Sequence, residues 1–313
     1  MTPAEAVVLQ QVINGLSLGM MYALLALGFT MVYGIIELIN FAHFNVFMSG
    51  TFFGLWFLAL LGYGRGARPL GGLTLALVFI GAFAVTMLLT GALGVIIERL
   101  CLRPMRGISG TAPMITTIGV SLILQALILF ASNFANNVPY PGLVPDQRWN
   151  IPGTTVVVTL KNVMLWTSAI VLMVVLDYFV RRTWLGKAMR ATAQDPEAAR
   201  MMGIRIDLII LVTFFIGSAL AGAAALIFGT YYGLTSYLVG YVAGLRAFTA
   251  AVLGGIGNIP GAVLGGLLIG LVESLSGQFI GNAWSDAVIF SILIIVLVFR
   301  PNGLLGLQRA QRA

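Results

Sequence analysis

The sequence predicts an all-α, polytopic integral membrane protein with eight or nine membrane-spanning helices, one or more of them broken or re-entrant. Three observations carry this. Of the 313 residues, 59% are hydrophobic and only 9% charged, with a mean hydropathy of +1.01, which lies outside the range of soluble domains. Apolar runs of about 18 to 25 residues recur along the chain, each long enough to cross a hydrocarbon core of roughly 30 Å as a helix that satisfies its own backbone. One polar stretch, 186–205 (GKAMRATAQDPEAARMMGIR), interrupts this pattern.

Nine spans are read, at residues 8–32, 43–61, 73–97, 112–131, 163–180, 208–229, 239–257, 262–280 and 283–299. No Lys or Arg precedes Arg65, so the start lacks the basic region of a cleavable signal and the first span is expected to stay. Within it, Asn14, Ser17, Tyr22 and Thr30 are expected to hydrogen-bond between helices. Residues 34–42 form a loop or a re-entrant bend. Around that break Glu37, Asn40, His43 and Asn45 make a polar cluster. Two readings stand for Asn40, His43 and Asn45: structural donors, or residues lining a pathway. Phe41, Phe44 and Phe47 form an apolar gate there or simply pack. Glu98 and Asp177, near span ends, are read as interfacial pairs with Arg99 and Arg181.

The segment 132–161 is too long for a simple turn and carries Pro139, Pro141, Pro145 and Pro152, so it is read as a stiffened exported loop with 156–159 extended. In the hairpin of the seventh and eighth spans, Arg246 and Glu273 each lie about eleven or twelve residues, roughly 17 Å, from the 257–261 turn. At that depth they are expected to face each other as a structural ion pair, a direct role toward solute being the other reading. Reversal of both charges should then restore what either reversal loses. Gly257, Gly261, Gly265, Gly266 and Gly270 favour close helix contact.

Positive charge collects in three segments: Arg99, Arg103 and Arg106; Arg181, Arg182, Lys187, Arg190, Arg200 and Arg205; and Arg300, Arg309 and Arg312. Two spans separate the first two and four the last two, so all three can face the cytoplasm, with the N-terminus outside and the C-terminus inside. Arg65 and Arg68 run against this assignment. The net charge of +7 is an outcome of topology, not a nucleic-acid footprint. One Cys101 and one His43 leave no intrachain disulfide and no Cys- or His-rich metal site. No nucleophile with a neighbouring base is visible, so no catalytic residue is assigned. The glycine run 254–261 lacks the Lys and hydroxyl of a phosphate loop, so an energy-driven chain of this kind needs its ATPase, with ATP and Mg, in a partner.

The stretch 186–205 is read as a folded cytoplasmic element. Asp195, Pro196 and Glu197 have the order of a helix start, namely a cap, a proline at the first position and an acid in the first turn, and Gly203 supplies the stop. The expected helix covers 196–202, preceded by another over 185–193 whose Lys187 and Arg190 suit an anionic membrane surface. Ala198, Ala199, Met201 and Met202 are left without a core and fit a partner's groove.

Residues 191–204 (ATAQDPEAARMMGI) resemble the cytoplasmic coupling loop of bacterial ABC importer permeases of the branched-chain amino acid (LivH/LivM) type, LivH in particular. The segments 28–43 (GFTMVYGIIELINFAH), 244–273 and 300–306 (RPNGLLG) resemble that family in the same order. Two departures bear on the solute: Phe44 and Asn45 follow His43 where the family has Gly and an acid, and Arg246 stands where Lys is usual. The resemblance implies a single permease domain over 1–313 that forms half of a pathway beside a second homologous permease subunit. ABC ATPase subunits would couple at Asp195, Pro196, Glu197, Ala198, Ala199, Arg200 and Gly203. A periplasmic or extracellular solute-binding protein would meet the 132–161 face, and the home of the chain would be the bacterial inner membrane. The implied solute is a branched-chain or other apolar amino acid. A urea or short-amide importer is the nearest alternative, and an ion-coupled secondary transporter the rival from another class; the latter needs a chain of intramembrane carboxylates, of which only Glu273 is deeply placed.

Overall fold

Helices dominate because the apolar runs leave their backbone groups no other partner in lipid. The computed structural model describes residues 3–64, 66–106, 108, 111–150 and 152–306; Arg65, Arg309 and Arg312 lie outside them. In chain order the helices are α1 (Pro3–Ile36), α2 (Ala42–Leu60), α3 (Gly72–Ile97), α4 (Ala112–Ala131), α5 (Leu160–Arg182), α6 (Trp184–Gln194), α7 (Pro196–Met201), α8 (Ile206–Tyr232), α9 (Val239–Gly254), α10 (Ile259–Phe279) and α11 (Ser285–Phe299). Among the described residues, eight helices are long and apolar enough to cross a membrane.

The seventh expected span is shorter than 239–257. Helix α9 has 16 residues, about 24 Å, less than a hydrocarbon core. Gly255 and Gly257, with φ of 104° and 91°, end it in conformations that suit glycine. At its other end the chain descends from Gly233 through Leu234–Thr235, and Thr235 Oγ1 meets Thr51 Oγ1 of α2 at 2.5 Å inside the bundle. So the chain that leads into α9 starts from inside the bundle.

At the 34–42 break the chain turns back on itself. Helix α1 runs on to Ile36, and Glu37, at φ 55°, terminates it. Asn40 Oδ1 then accepts from the Ala42 amide at 3.1 Å. His43 already lies beside Gly28, eight residues or roughly 12 Å back along α1, so α2 begins inside the bundle alongside α1.

Helices α1, α2 and α8 form the centre, while α3, α4, α5 and α11 turn apolar side chains such as Leu77, Leu122, Val174 and Ile294 outward as a lipid-facing layer. The glycines of the hairpin are consumed within the chain. Gly266 and Gly270 bring α10 against Ala23 and Gly19 of α1, and Gly261 and Gly265 bring it against Gly254 and Ala250 of α9. The 300–306 segment seals the hairpin turn: the Leu304 and Leu305 amides donate to Leu253 and Gly254 at 2.8 and 3.0 Å, and Asn258 Nδ2 donates to Leu305 O at 2.6 Å. Three of the segments that carry the family resemblance therefore meet at this end, since Gly34 also lies against Gly257.

Ser17 and Tyr22 bond across helices, Ser17 Oγ accepting from Asn162 Nδ2 (2.8 Å) and Trp166 Nε1 (3.0 Å). Asn14 instead bonds within α1, to Gln10 and Gln11, and Thr30 Oγ1 has no partner among the described residues. Asp177 pairs with Arg181 at 2.7 Å. Glu98 does not pair with Arg99. Adjacent residues on a helix point in different directions, and Glu98, buried at 2% exposure in a π-turn (Glu98–Leu102), meets Arg106, which also meets Asp207 of α8.

The segment 132–161 is tied down. Val138–Pro139 (β1) pairs antiparallel with Leu234–Thr235 (β4), and Arg148–Asn150 (β2) with Val157–Thr159 (β3). Gln10 exchanges two hydrogen bonds with the Val157 backbone, and the Tyr140 ring is buried against Gly229 and Gly54. On its exposed surface Arg148 bonds Asp146 at 2.6 Å and holds that carboxyl below its usual range.

Candidate functional site

At the arginine-rich end, the polar stretch folds into two capped helices. Thr183 Oγ1 accepts from Gly186 N at 3.0 Å and starts α6. Asp195 Oδ1 accepts from the Glu197 and Ala198 amides, both at 3.0 Å, and Pro196 takes the first position of α7. Gly203, at φ 81°, closes α7: its amide donates to Arg200 O and the Ile204 amide to Ala199 O, each at 3.0 Å, a Schellman pair. Helix α6 is anchored by the buried Ala188, Met189 and Thr192. Arg190, exposed, donates to the Val180 carbonyl at the end of α5 and so ties α6 to α5. Ala199 is also buried, contrary to the expectation that it lacks a core. Ala198 is exposed, and Met201 and Met202 stand out at 87% and 83% exposure. Beside α7 lies a cleft of about 650 Å³ lined by Arg99, Arg103, Arg200 and Arg205 together with Glu98 and Asp207.

Asn40, His43 and Asn45 come together at the start of α2, all buried. Asn45 Nδ2 donates to Ser121 O and Oγ of α4 at 2.7 Å, while its Oδ1, without a hydrogen-bond partner among the described residues, faces Gly240 of α9. The His43 ring stacks edge-on to Phe29 at 4.5 Å, hydrogen-bonds the Leu25 backbone, and leaves Nε2 without a partner among the described residues. Phe41 and Phe44 join Phe29 and Phe248 in one aromatic cluster, whereas Phe47 turns to Phe228. Neither large cavity reaches the three polar residues.

The larger cavity, about 700 Å³, opens at the opposite end, within the range of small-molecule sites. Its rim carries Gln278 and Asn282, and its apolar wall Leu18, Phe228, Val239 and Val242. Arg246 and Glu273 lie at its floor, paired at 2.5 Å and only 16% and 15% exposed. Two further groups complete the network. Tyr22 OH donates to Glu273 Oε2 at 2.8 Å and accepts from Arg246 Nη1 at 3.2 Å, and Arg246 Nε donates to Asp286 Oδ1 at 2.8 Å. Sequence reading had no place for Asp286, which sits on α11, a different helix from either partner; an acid in the first turn of a span was the available signal. The cavity residues Gln11, Tyr231, Tyr232 and Ser285 were missed as well, because only tertiary packing gathers them.

No solved structure shows a significant match to the chain. The family model described as branched-chain amino acid transport system / permease component matches residues 11–297. The chain is 40% identical over 308 residues to the high-affinity branched-chain amino acid transport system permease protein BraD of Pseudomonas aeruginosa, covering 97% of both. It is 38% identical over 307 residues to the permease proteins LivH of Escherichia coli and Salmonella typhimurium, again over 97% of each. With nearly the full length matched on both sides, the chain belongs to the family of permease components of branched-chain amino acid transport systems.

Proposed function

We propose that the chain is the permease subunit of an ATP-driven bacterial importer for branched-chain or other apolar amino acids, with α7 as the element that receives the stroke of a separate ATPase. The observation that carries this is α7 itself: a helix capped at both ends that turns Met201 and Met202 into open space beside a cleft lined by four arginines and by Glu98 and Asp207. A rigid amphipathic helix of this kind suits a partner's groove, and coupling by rigid-body transmission needs an element that does not yield when pushed. The solute class is supported by what the relatives transport by name and by a cavity with both apolar walls and paired charges.

In this reading the arginine-rich end faces the cytoplasm of the inner membrane, as short basic loops do. ATP and Mg bind in the ATPase subunits, a second homologous permease subunit completes the pathway, and a solute-binding protein docks over 132–161. The cavity is then an outward-facing vestibule, and the Phe29, Phe41, Phe44 and Phe248 cluster is the closed side of the path. Asp195, Pro196, Glu197, Ala198, Ala199, Arg200 and Gly203 act by shaping and presenting α7.

The test is Glu197→Pro, or deletion of 195–202. The new proline removes an amide capped by Asp195 and drives Pro196 out of the helical region. ATPase co-purification should be lost while membrane insertion persists. Retained ATPase binding would overturn the coupling role.

A further inference from the structure

We infer that the 700 Å³ cavity is a subsite for the zwitterionic head of the solute, with Glu273 and Asp286 facing its ammonium and Arg246 its carboxylate. This rests on the reading of the chain as an amino-acid permease and adds where, and by which atoms, the solute is held.

The charge inventory at the cavity floor points this way. One guanidinium faces two carboxylates, which leaves a surplus negative charge that a strut would not need and an ammonium would neutralise. Arg246 commits Nε to Asp286 and Nη1 to Glu273 and Tyr22, while Nη2 has no acceptor among the described residues. That nitrogen is a charged donor suited to a carboxylate oxygen. Ser285 Oγ, buried in the same wall, also lacks a partner among the described residues. A bare amine would leave Nη2 unmatched, and a bare carboxylate would meet two like charges; an α-amino acid carries both groups on one carbon. Val239 and Val242 supply apolar surface for a branched side chain. Because Arg246 and Glu273 are largely withdrawn from water, their fields on a bound zwitterion are weakly screened.

The experiment uses the complete permease complex in nanodiscs. The single native thiol is removed by Cys101→Ser, and Val242→Cys places a reporter on the cavity wall. The rate of methanethiosulfonate labelling is measured with leucine, isopentylamine or 4-methylpentanoate. Leucine above its Kd should slow labelling by about fivefold, and neither half-analogue should do so at the same concentration. Asp286→Asn, at a half-exposed position, should weaken the protection by leucine. Equal labelling with and without leucine would overturn the inference, as would equal protection by all three compounds. Leucine uptake by the complete wild-type importer is measured in parallel. Uptake without protection sinks this subsite alone, whereas absent uptake sinks the amino-acid reading beneath it.

Discussion

Asp195→Ala isolates the rigidity of α7 from its surface. The helix has six residues, well below the roughly 12 to 15 at which an isolated helix becomes even marginal in water. It is held by three things: the Asp195 cap on two amides, the closure at Gly203 and Ile204, and the buried Ala199. Alanine removes the first and leaves the others and the exposed methionines in place. Loss of such a cap costs about 1 kcal/mol and up to about 2, which raises the frayed population by about 5- to 30-fold. Hydrogen exchange followed by mass spectrometry should show the amides of 197–202 exchanging faster by that factor, with ATP-driven uptake falling in parallel. Asp195→Asn, which caps almost as well, should retain both. Faster exchange with unchanged uptake would refute the argument that coupling requires a rigid α7; unchanged exchange would refute the role of the cap.

Two further substitutions test the packing and the network. Alanine at Gly266 would place its Cβ 2.5 Å from the Ala23 backbone, forcing α1 and α10 apart at a cost of about 1 to 3 kcal/mol. Gly81→Ala on α3, where nothing lies within 4 Å, should be neutral or stabilising by up to about 1 kcal/mol; thermal unfolding followed by dye labelling of Cys101 compares the two. Arg246→Gln leaves Glu273 and Asp286 facing each other and should cost about 3 kcal/mol, whereas Arg246→Gln with Glu273→Gln should recover most of that in the same assay. Reversal of both charges should not rescue, because a glutamate at position 246 would stand against Asp286.

Where a feature is set by neighbours along the chain, it was legible. The caps of α7 lie within nine residues, Asp195 to Gly203, and their order specifies a short helix without reference to the rest of the protein. Arg246 and Glu273 could be matched because both are counted from one hairpin turn. What escaped depends on approach between distant segments. Glu98 selects Arg106 because the π-turn re-aims it, and Asp286 reaches Arg246 from a helix with no sequence register to α9. The start of α2 inside the bundle turns on Glu37 adopting a left-handed conformation that its side chain disfavours. No periodicity announces that choice; packing of His43 against Gly28 accompanies it.

Helix α8 connects the two regions. Its 27 residues, about 40 Å, run from just beyond α7 to Phe228, Tyr231 and Tyr232 on the cavity wall. A helix does not shorten under load, so a push at Ile206 reaches the cavity as translation or tilt. Small residues bring α8 close to its neighbours: Gly217 lies on Gly28 of α1, and Gly222 on Thr90 of α3. Helices α1 and α10 are brought together in the same way at Gly19, Ala23, Gly266 and Gly270, and Tyr22 and Glu273 belong to that pair. Arg246 sits on α9, the continuation of α8 after its turn at Gly233. The Tyr22–Glu273–Arg246 network therefore bridges α1, α10 and α9. In the proposed coupling, a stroke carried along α8 would bear on this network from α9, and any motion that drew Arg246 from Glu273 would also have to part the hairpin contacts of Gly254 with Gly261 and of Ala250 with Gly265. A zwitterion between the two charges would replace each lost partner with one of its own, so solute at the cavity floor would lower the cost of that motion and tie it to occupancy.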